Sequence, residues 1–336
     1  MSEGQVSKAT LRGRRAPLVA YRTKLGRMYW GYSEEVLTGR TLKRYRGKAQ
    51  LVFTSPPFPL NRKKKYGNLH GEEYVKWLSA FAPLLTDHLK PDGSIVIELG
   101  NAWEPGSPTM STLTLEALLA FKRAASLHLC QEFICFNPAR LPSPAQWVNV
   151  ERCRVKDAFT RIWWMSPSER PKADNRKVLQ DYTESMQRLL KHGRYNSGKR
   201  PSEHHIGKDS FLTNNGGAIP PNVLLFPDDF VADLLTISNT RANDPYQIFC
   251  RQRGLEAHPA RMPLKLAEFF IKFLTDRKDT VLDPFGGSNT TGRVAETLGR
   301  KWLCIEADPT YIESSKGRFA PEEFKFQIKA THPSPV

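Results

Sequence analysis

The stretch TVLDPFGGSNTTGRVAETLGRKWLCIEAD, residues 280–308, limits the possible folds more than any other part of the chain. An apolar run ends at Asp283, two glycines follow at Gly286 and Gly287, helix-starting residues occupy 288–291, and a second apolar run ends at Glu306. Strand, helix and strand joined by short links place the two strands parallel and side by side, with a right-handed crossover between them. The chain therefore contains an α/β sheet, and its other elements have to fit that sheet.

They do so on both sides of a less regular middle. The first half reads as a strand RMYWGY, a helix SEEVL with Ser33 as N-cap, and a strand AQLVFT at residues 49–54. In GEEYVKWLSAFAPLLTDHL, the residues Tyr74, Trp77, Leu78, Phe81, Leu84 and Leu85 recur at three and four positions, which predicts an amphipathic helix. KPDG reads as a turn, SIVIELG (94–100) as a strand buried on both faces, and TLEALLAFKRAASL as a helix. EFICFN and AFTRIWWMS read as an antiparallel pair at one edge, with Trp163 and Trp164 as edge-strand core. Beyond, MPLKLAEFFIKFLTD is a helix. The pattern predicts an open twisted, mostly parallel sheet in two halves, 26–165 and 251–330, with a basic flexible N-terminus at 1–25 and a weakly patterned region at 166–250.

Charge narrows the partners. Fifty Lys and Arg against 34 Asp and Glu give +16, and a soluble protein so basic usually meets a polyanion, nucleic acid above all. The five cysteines are scattered without a C-x-x-C pair, so they read as reduced thiols of a cytoplasmic protein rather than disulfide or zinc ligands. His204 and His205 have no companions at metal-ligand spacing, and no metal is expected. No apolar run reaches transmembrane length, so no membrane partner is expected; the oligomeric state stays open.

The glycine turn has the chemistry of a nucleoside site. Gly286 and Gly287 permit close backbone approach, and a helix start at Ser288, Asn289 and Thr290 favours a negatively charged group. Glu306, about twenty residues on, stands where an acidic side chain accepts hydrogen bonds from ribose hydroxyls. G-x-G-x-x-G is absent, which disfavours a dinucleotide and favours a nucleoside carrying a carboxylate. S-adenosylmethionine is such a molecule. The expected cofactor-binding residues are Asp283, Phe285, Gly286, Gly287, Ser288, Asn289, Thr290 and Glu306.

A second site lies in LVFTSPPFPL, where a buried strand runs into Pro56 and Pro57 and must stop, leaving Ser55 and Phe58 at the lip of the sheet. With this strand next to SIVIEL, Glu98 falls near Ser55, either orienting it, accepting a proton, or merely pairing with a lysine. The run Arg62, Lys63, Lys64 and Lys65 is either a phosphate contact or a solvated basic loop.

Ser-Pro-Pro-Phe at one strand end and Asp-Pro-Phe-Gly-Gly at another, over two hundred residues later, resembles the amino-group DNA methyltransferases of the permuted class, in which the catalytic motif precedes the cofactor motif. WVNVERCRVKDAFTRIWW, HPARMP and CIEADPTY stand in that family's order too. The resemblance implies a circularly permuted S-adenosylmethionine-dependent methyltransferase fold and a flipped base in duplex DNA. Ser55 Oγ and the Pro56 carbonyl would hold the amino group, Phe58 would stack on the base, and His258 and Pro259 would pack on the methionine end of the cofactor. Target recognition would fall in 166–250. Ser-Pro-Pro implies cytosine N4 and a restriction-modification system; adenine N6 is the alternative, and a DNA-binding protein with a vestigial pocket a more distant one. Carbon-5 chemistry would need a Pro-Cys pair, which is absent. Where relatives often carry Gly-Asp-Ser, this chain has Gly31, Tyr32 and Ser33, so no carboxylate is assigned to the cofactor adenine.

Overall fold

The computed structural model describes residues 18–58, 71–138, 140–193, 198–199, 201–202, 205–207, 211–225 and 244–327. Arg62, Lys63, Lys64, Lys65 and His204 lie outside the described residues.

Ten strands form one sheet: β1 (Leu18–Thr23), β2 (Gly26–Trp30), β3 (Ala49–Thr54), β4 (Leu89–Gly100), β5 (His128–Phe136), β6 (Phe159–Ser166), β7 (Val223–Leu224), β8 (Thr280–Asp283), β9 (Lys301–Glu306) and β10 (Phe324–Gln327). Their spatial order is β7-β5-β6-β4-β3-β8-β9-β2-β1-β10. The five central strands, β4-β3-β8-β9-β2, are mutually parallel. Antiparallel pairs flank them on each side. All five central strands thus end on the same edge of the sheet, where α/β folds place their ligands.

Alternation along each strand divides the core in two. Leu51 and Phe53 face one layer, which contains α6 (Leu264–Leu274), α7 (Thr290–Thr297) and α8 (Pro309–Ser315). Val52 faces the other, which contains α1 (Ser33–Thr38), α2 (Gly71–His88) and α3 (Leu113–Ala124). The central strands read as unbroken apolar runs because both faces are covered.

The structure corrects several local expectations. The flexible N-terminus does not extend to residue 25: β1 begins at Leu18, and Tyr21 is fully buried with its hydroxyl hydrogen-bonded to Ser315 and Asn289, each at 2.8 Å. KPDG is no free turn but a bulge inside β4, since Ala49 opposes Leu89 while Leu51 opposes Ser94. Ser33 is the first residue of α1 rather than its cap, and its hydroxyl donates to the Pro284 carbonyl. β6 is an inner strand, so Trp163 and Trp164 are core without being at an edge. The expected boundary at 250 cuts α5 (Pro245–Gln252), whose Tyr246 hydroxyl accepts from the His258 N–H at 2.9 Å and bonds Ser314 at 3.1 Å. Helix α5 therefore belongs with the second α/β half. In the region before it, α4 (Glu184–His192) buries no residue.

Candidate active site

A cavity of about 590 Å³ opens at the ends of the central strands and is lined by both motifs. Ser55, Pro56, Pro57, Phe58 and Glu98 stand on its wall, as do Asp283, Phe285, Gly286, Gly287, Ser288, Thr290, Glu306 and His258. Its size is that of a small-molecule site.

At the β3 end, Tyr74 of α2 donates to the Pro57 carbonyl at 2.9 Å and fixes the proline pair from behind. The Phe58 ring lies on Gly100, so close that a Cβ there would meet it at 2.8 Å. Glu98, 7% exposed, accepts from Thr160 Oγ1 at 2.9 Å and is hydrogen-bonded to Ser55. Burial pushes the Glu98 carboxyl above its usual range, and bonds from Thr160 and Ser55, with the charge of Arg140, oppose that rise. A buried acid with an elevated pKa next to a polarised hydroxyl suits proton handling.

At the β8 end, Asp283 spends its carboxylate internally. Oδ1 accepts from Thr54 Oγ1 at 2.7 Å and the Phe285 N–H at 3.0 Å, and Oδ2 accepts from Thr291 Oγ1 at 2.7 Å. The residue thus ties β3, the glycine turn and α7 together. Gly287 has φ +50°, and a Cβ there would meet the His258 ring at 3.1 Å, so backbone conformation and space both demand glycine. The His258 ring in turn packs edge-on against Tyr311, centroids 4.5 Å apart. Phe285 packs against Phe81 and Trp77 at 5.1 and 5.6 Å.

Glu306 holds the turn from the neighbouring strand, accepting the Gly287 N–H and the Asp308 N–H at 2.8 Å each. Burial pushes its carboxyl up to about 7, against the pull of backbone bonds from Asp308, Gly287 and Ala307. A carboxylate accepts about four hydrogen bonds, so capacity remains on the cavity side.

Two expected contacts are not on the wall. Asn289 is fully buried as the cap of α7, accepting from the Gly292 N–H at 3.0 Å, with its amide donating to Tyr21. Pro259 is also absent from the lining. Conversely, the sequence reading missed Tyr32, Glu34, Tyr74, Trp77, Arg140, Thr160, Arg261 and Tyr311, which all line the cavity. Arg261 and Tyr311 follow His258 and Glu306 closely in sequence, whereas Tyr32, Glu34, Tyr74, Trp77, Arg140 and Thr160 reach the wall only through folding. Among the described residues no group of side chains could hold a metal ion, and no helix is long and apolar enough to cross a membrane.

Comparison with known proteins agrees with this geometry. The type II methyltransferase M.PvuII of Proteus hauseri is 45% identical over 302 residues, covering 89% of this chain and 85% of that protein. The structure of the PvuII DNA methyltransferase (cytosine-N4-specific) superposes with a TM-score of 0.69 at 39% identity, covering 91% and 90% of the two chains. The putative DNA modification methylase TTHA0409 of Thermus thermophilus, solved with S-adenosyl-L-methionine, shares the fold with a TM-score of 0.51 at 19% identity, over 90% and 98%. Residues 49–317 match the N6_N4_Mtase model, described as DNA methylase, and with these relatives they show that the chain belongs to the DNA methylase family.

Proposed function

We propose that this protein methylates the N4 amino group of a cytosine flipped out of duplex DNA, with S-adenosylmethionine as methyl donor, as the modification enzyme of a restriction-modification system in the cytoplasm. The observation that carries the reading is the single cavity shared by the Ser55–Glu98 pair and the Gly287–Glu306 pair.

The residues present fit the cofactor. Glu306 would accept the ribose hydroxyls, Gly286 and Gly287 keep the turn tight against Cys304 and against His258 of the cavity wall, and Phe285 with Trp77 would supply apolar contact. When bound, the cofactor supplies a methyl group on sulfonium sulfur, so the N–C bond forms as the C–S bond breaks and its electron pair passes to sulfur.

The chain's own groups prepare the nitrogen. The amino lone pair of cytosine is delocalised into the ring and must be turned towards the methyl carbon. With its one hydroxyl proton donated to Glu98, Ser55 presents its lone pairs to an amino N–H. The Pro56 carbonyl would take the other N–H; Pro57's is occupied by Tyr74. Phe58, braced on Gly100, would stack on the base. The methylated nitrogen then releases a proton, for which Glu98 is the nearby acceptor. Positioning rather than strong base catalysis does most of this work.

The net charge of +16 supports binding to the duplex. In this reading 18–165 supplies catalysis, 244–327 the cofactor site, 166–243 sequence readout, and the basic run Arg62, Lys63, Lys64 and Lys65 contacts phosphates. The test is incubation with tritium-labelled S-adenosylmethionine and DNA, followed by nucleoside analysis. N4-methylcytosine is the expected product; N6-methyladenine, or no incorporation, would refute the assignment.

A further inference from the structure

Arg140 enters the cavity from the segment between β5 and β6 and shares its wall with Ser55, Phe58, Glu98 and Thr160. Its guanidinium is clamped at one nitrogen. Nη1 donates to Asp157 Oδ2 at 3.1 Å and to the Phe159 carbonyl at 2.9 Å, while Asn101 Nδ2 holds the other Asp157 oxygen at 2.7 Å. The Asp157 side chain is only 11% exposed, so the clamp is shielded from water. The described contacts use Nη1 alone, and a guanidinium carries five N–H donors in a rigid plane. The charge is close enough to Glu98 to stabilise its carboxylate.

The Ser55 end of this wall accepts hydrogen bonds and the Arg140 end donates them. Cytosine has the matching edge, with its amino group at C4 as donor, then N3 and O2 as acceptors. Adenine matches only in part: its amino group and N1 correspond, but a C–H occupies the place of O2. We propose that Arg140 is a specificity-determining residue that donates to O2 of the flipped cytosine. This rests on the cytosine-N4 reading above. With adenine in the pocket the same guanidinium would face carbon and lose its partner, and a site built to hydrogen-bond a polar group rejects the analogue lacking it.

The test combines a variant with an altered base. Single-turnover methylation at saturating S-adenosylmethionine is measured for the wild type and Arg140→Met on two duplexes, one with cytosine at the target and one with a 2-aminopyridine C-nucleoside, which keeps a ring nitrogen and an amino group at the positions of N3 and N4 but has carbon at N1 and C–H in place of the C2 carbonyl. The wild type should be about 10- to 100-fold slower on the altered base. Arg140→Met should be slowed on cytosine by a similar factor and should treat the two bases alike, with Arg140→Lys in between. Cofactor affinity by calorimetry should not change. A wild type that methylates both bases equally fast overturns the proposal, whether or not Arg140→Met folds. So does an Arg140→Met enzyme that still discriminates between them, since Arg140 would then act only through Asp157. A wild type that makes no N4-methylcytosine on the first duplex refutes instead the reading on which the proposal rests.

Discussion

Thr54 Oγ1 donates to Asp283 Oδ1 at 2.7 Å, across a sequence separation of 229 residues. Through this bond the last residue of β3 and the last residue of β8 hold the two motifs in register, one peptide before Ser55 and at the start of the glycine turn.

Replacing Thr54 with Val should therefore do more than remove a hydroxyl. Asp283 is buried, and burial already pushes its carboxyl up against the bonds from Thr291, Thr54 and the Phe285 N–H. Losing one donor should cost about 1–3 kcal/mol in urea unfolding. Combined with Thr291→Val, the loss should depart from additivity, because both hydroxyls serve one carboxylate. Additive losses would mean that the two bonds act independently.

Ser55→Ala removes the acceptor that the proposed mechanism aims at the reacting nitrogen and leaves the glycine turn intact. Single-turnover methyl transfer at saturating cofactor should fall by roughly one to three orders of magnitude, with cofactor affinity unchanged. An undiminished rate would make Ser55 a turn residue only.

Gly100→Ala tests the brace under Phe58. A Cβ at residue 100 would stand 2.8 Å from the ring, so the ring must move off its seat. With Phe58 stacking on the target base as proposed, retention of that base should weaken by about 1–3 kcal/mol, the scale of base–aromatic stacking, and Phe58→Ala should give a loss of the same order. Gly100→Ala binding target DNA as the wild type does would show that ring placement is not critical.

Glu306 should make cofactor binding depend on pH. Its carboxyl lies at about 7 in the free protein, well above the ordinary value near 4.3. Ribose hydroxyls bind the ionised form better, so binding should release protons, and affinity should fall as the pH drops below 7. Glu306→Gln should bind more weakly and lose that dependence. The same shift has a stability sign. A folded-state value above the unfolded one gives stability that is full below about 4.3 and is lost as the pH rises through about 7. Calorimetry in buffers of different protonation enthalpy, with thermal melts from pH 5 to 8, measures both effects; a flat affinity profile in the wild type would contradict the ribose assignment.

Residues 166–243, which stop short of α5, can be exchanged with the corresponding region of a related DNA methylase. The chimera should modify a different DNA sequence while methyl transfer itself survives. Retention of the original sequence preference would move readout elsewhere, with the basic run at 62–65 as the next region to test.

The main sheet was legible because its code is local. Leu51, Val52 and Phe53 form an apolar run that Pro56 and Pro57 must end, and the run to Asp283 with the glycines after it announces a crossover. The nearness of Glu98 to Ser55 followed from parallel pairing of β3 and β4, which the register confirms. What stayed hidden depends on distant partners. Asn289 looks like a ligand in a glycine-rich turn, yet Tyr21, from a strand masked by basic flanking sequence, claims its amide. Arg140 sits in a proline-rich link with no periodicity, and only folding brings it to the wall. Ser33 looked like a cap because the Pro284 carbonyl that receives it is 251 residues away.

β1 pairs antiparallel with β10, Tyr21 opposite Gln327, at the far edge of the sheet from β7. The earliest described strand to leave the ribosome therefore waits for the latest one. It can pair with β2 as soon as the hairpin emerges, but β2 must find β9 and β3 must find β8, both more than two hundred residues further along the chain. Contacts of such long range are slow to form. A nascent chain halted before residue 280 would hold the Ser-Pro-Pro-Phe turn without the strand whose Asp283 anchors Thr54, so the two motifs meet only after more than two hundred further residues have been made.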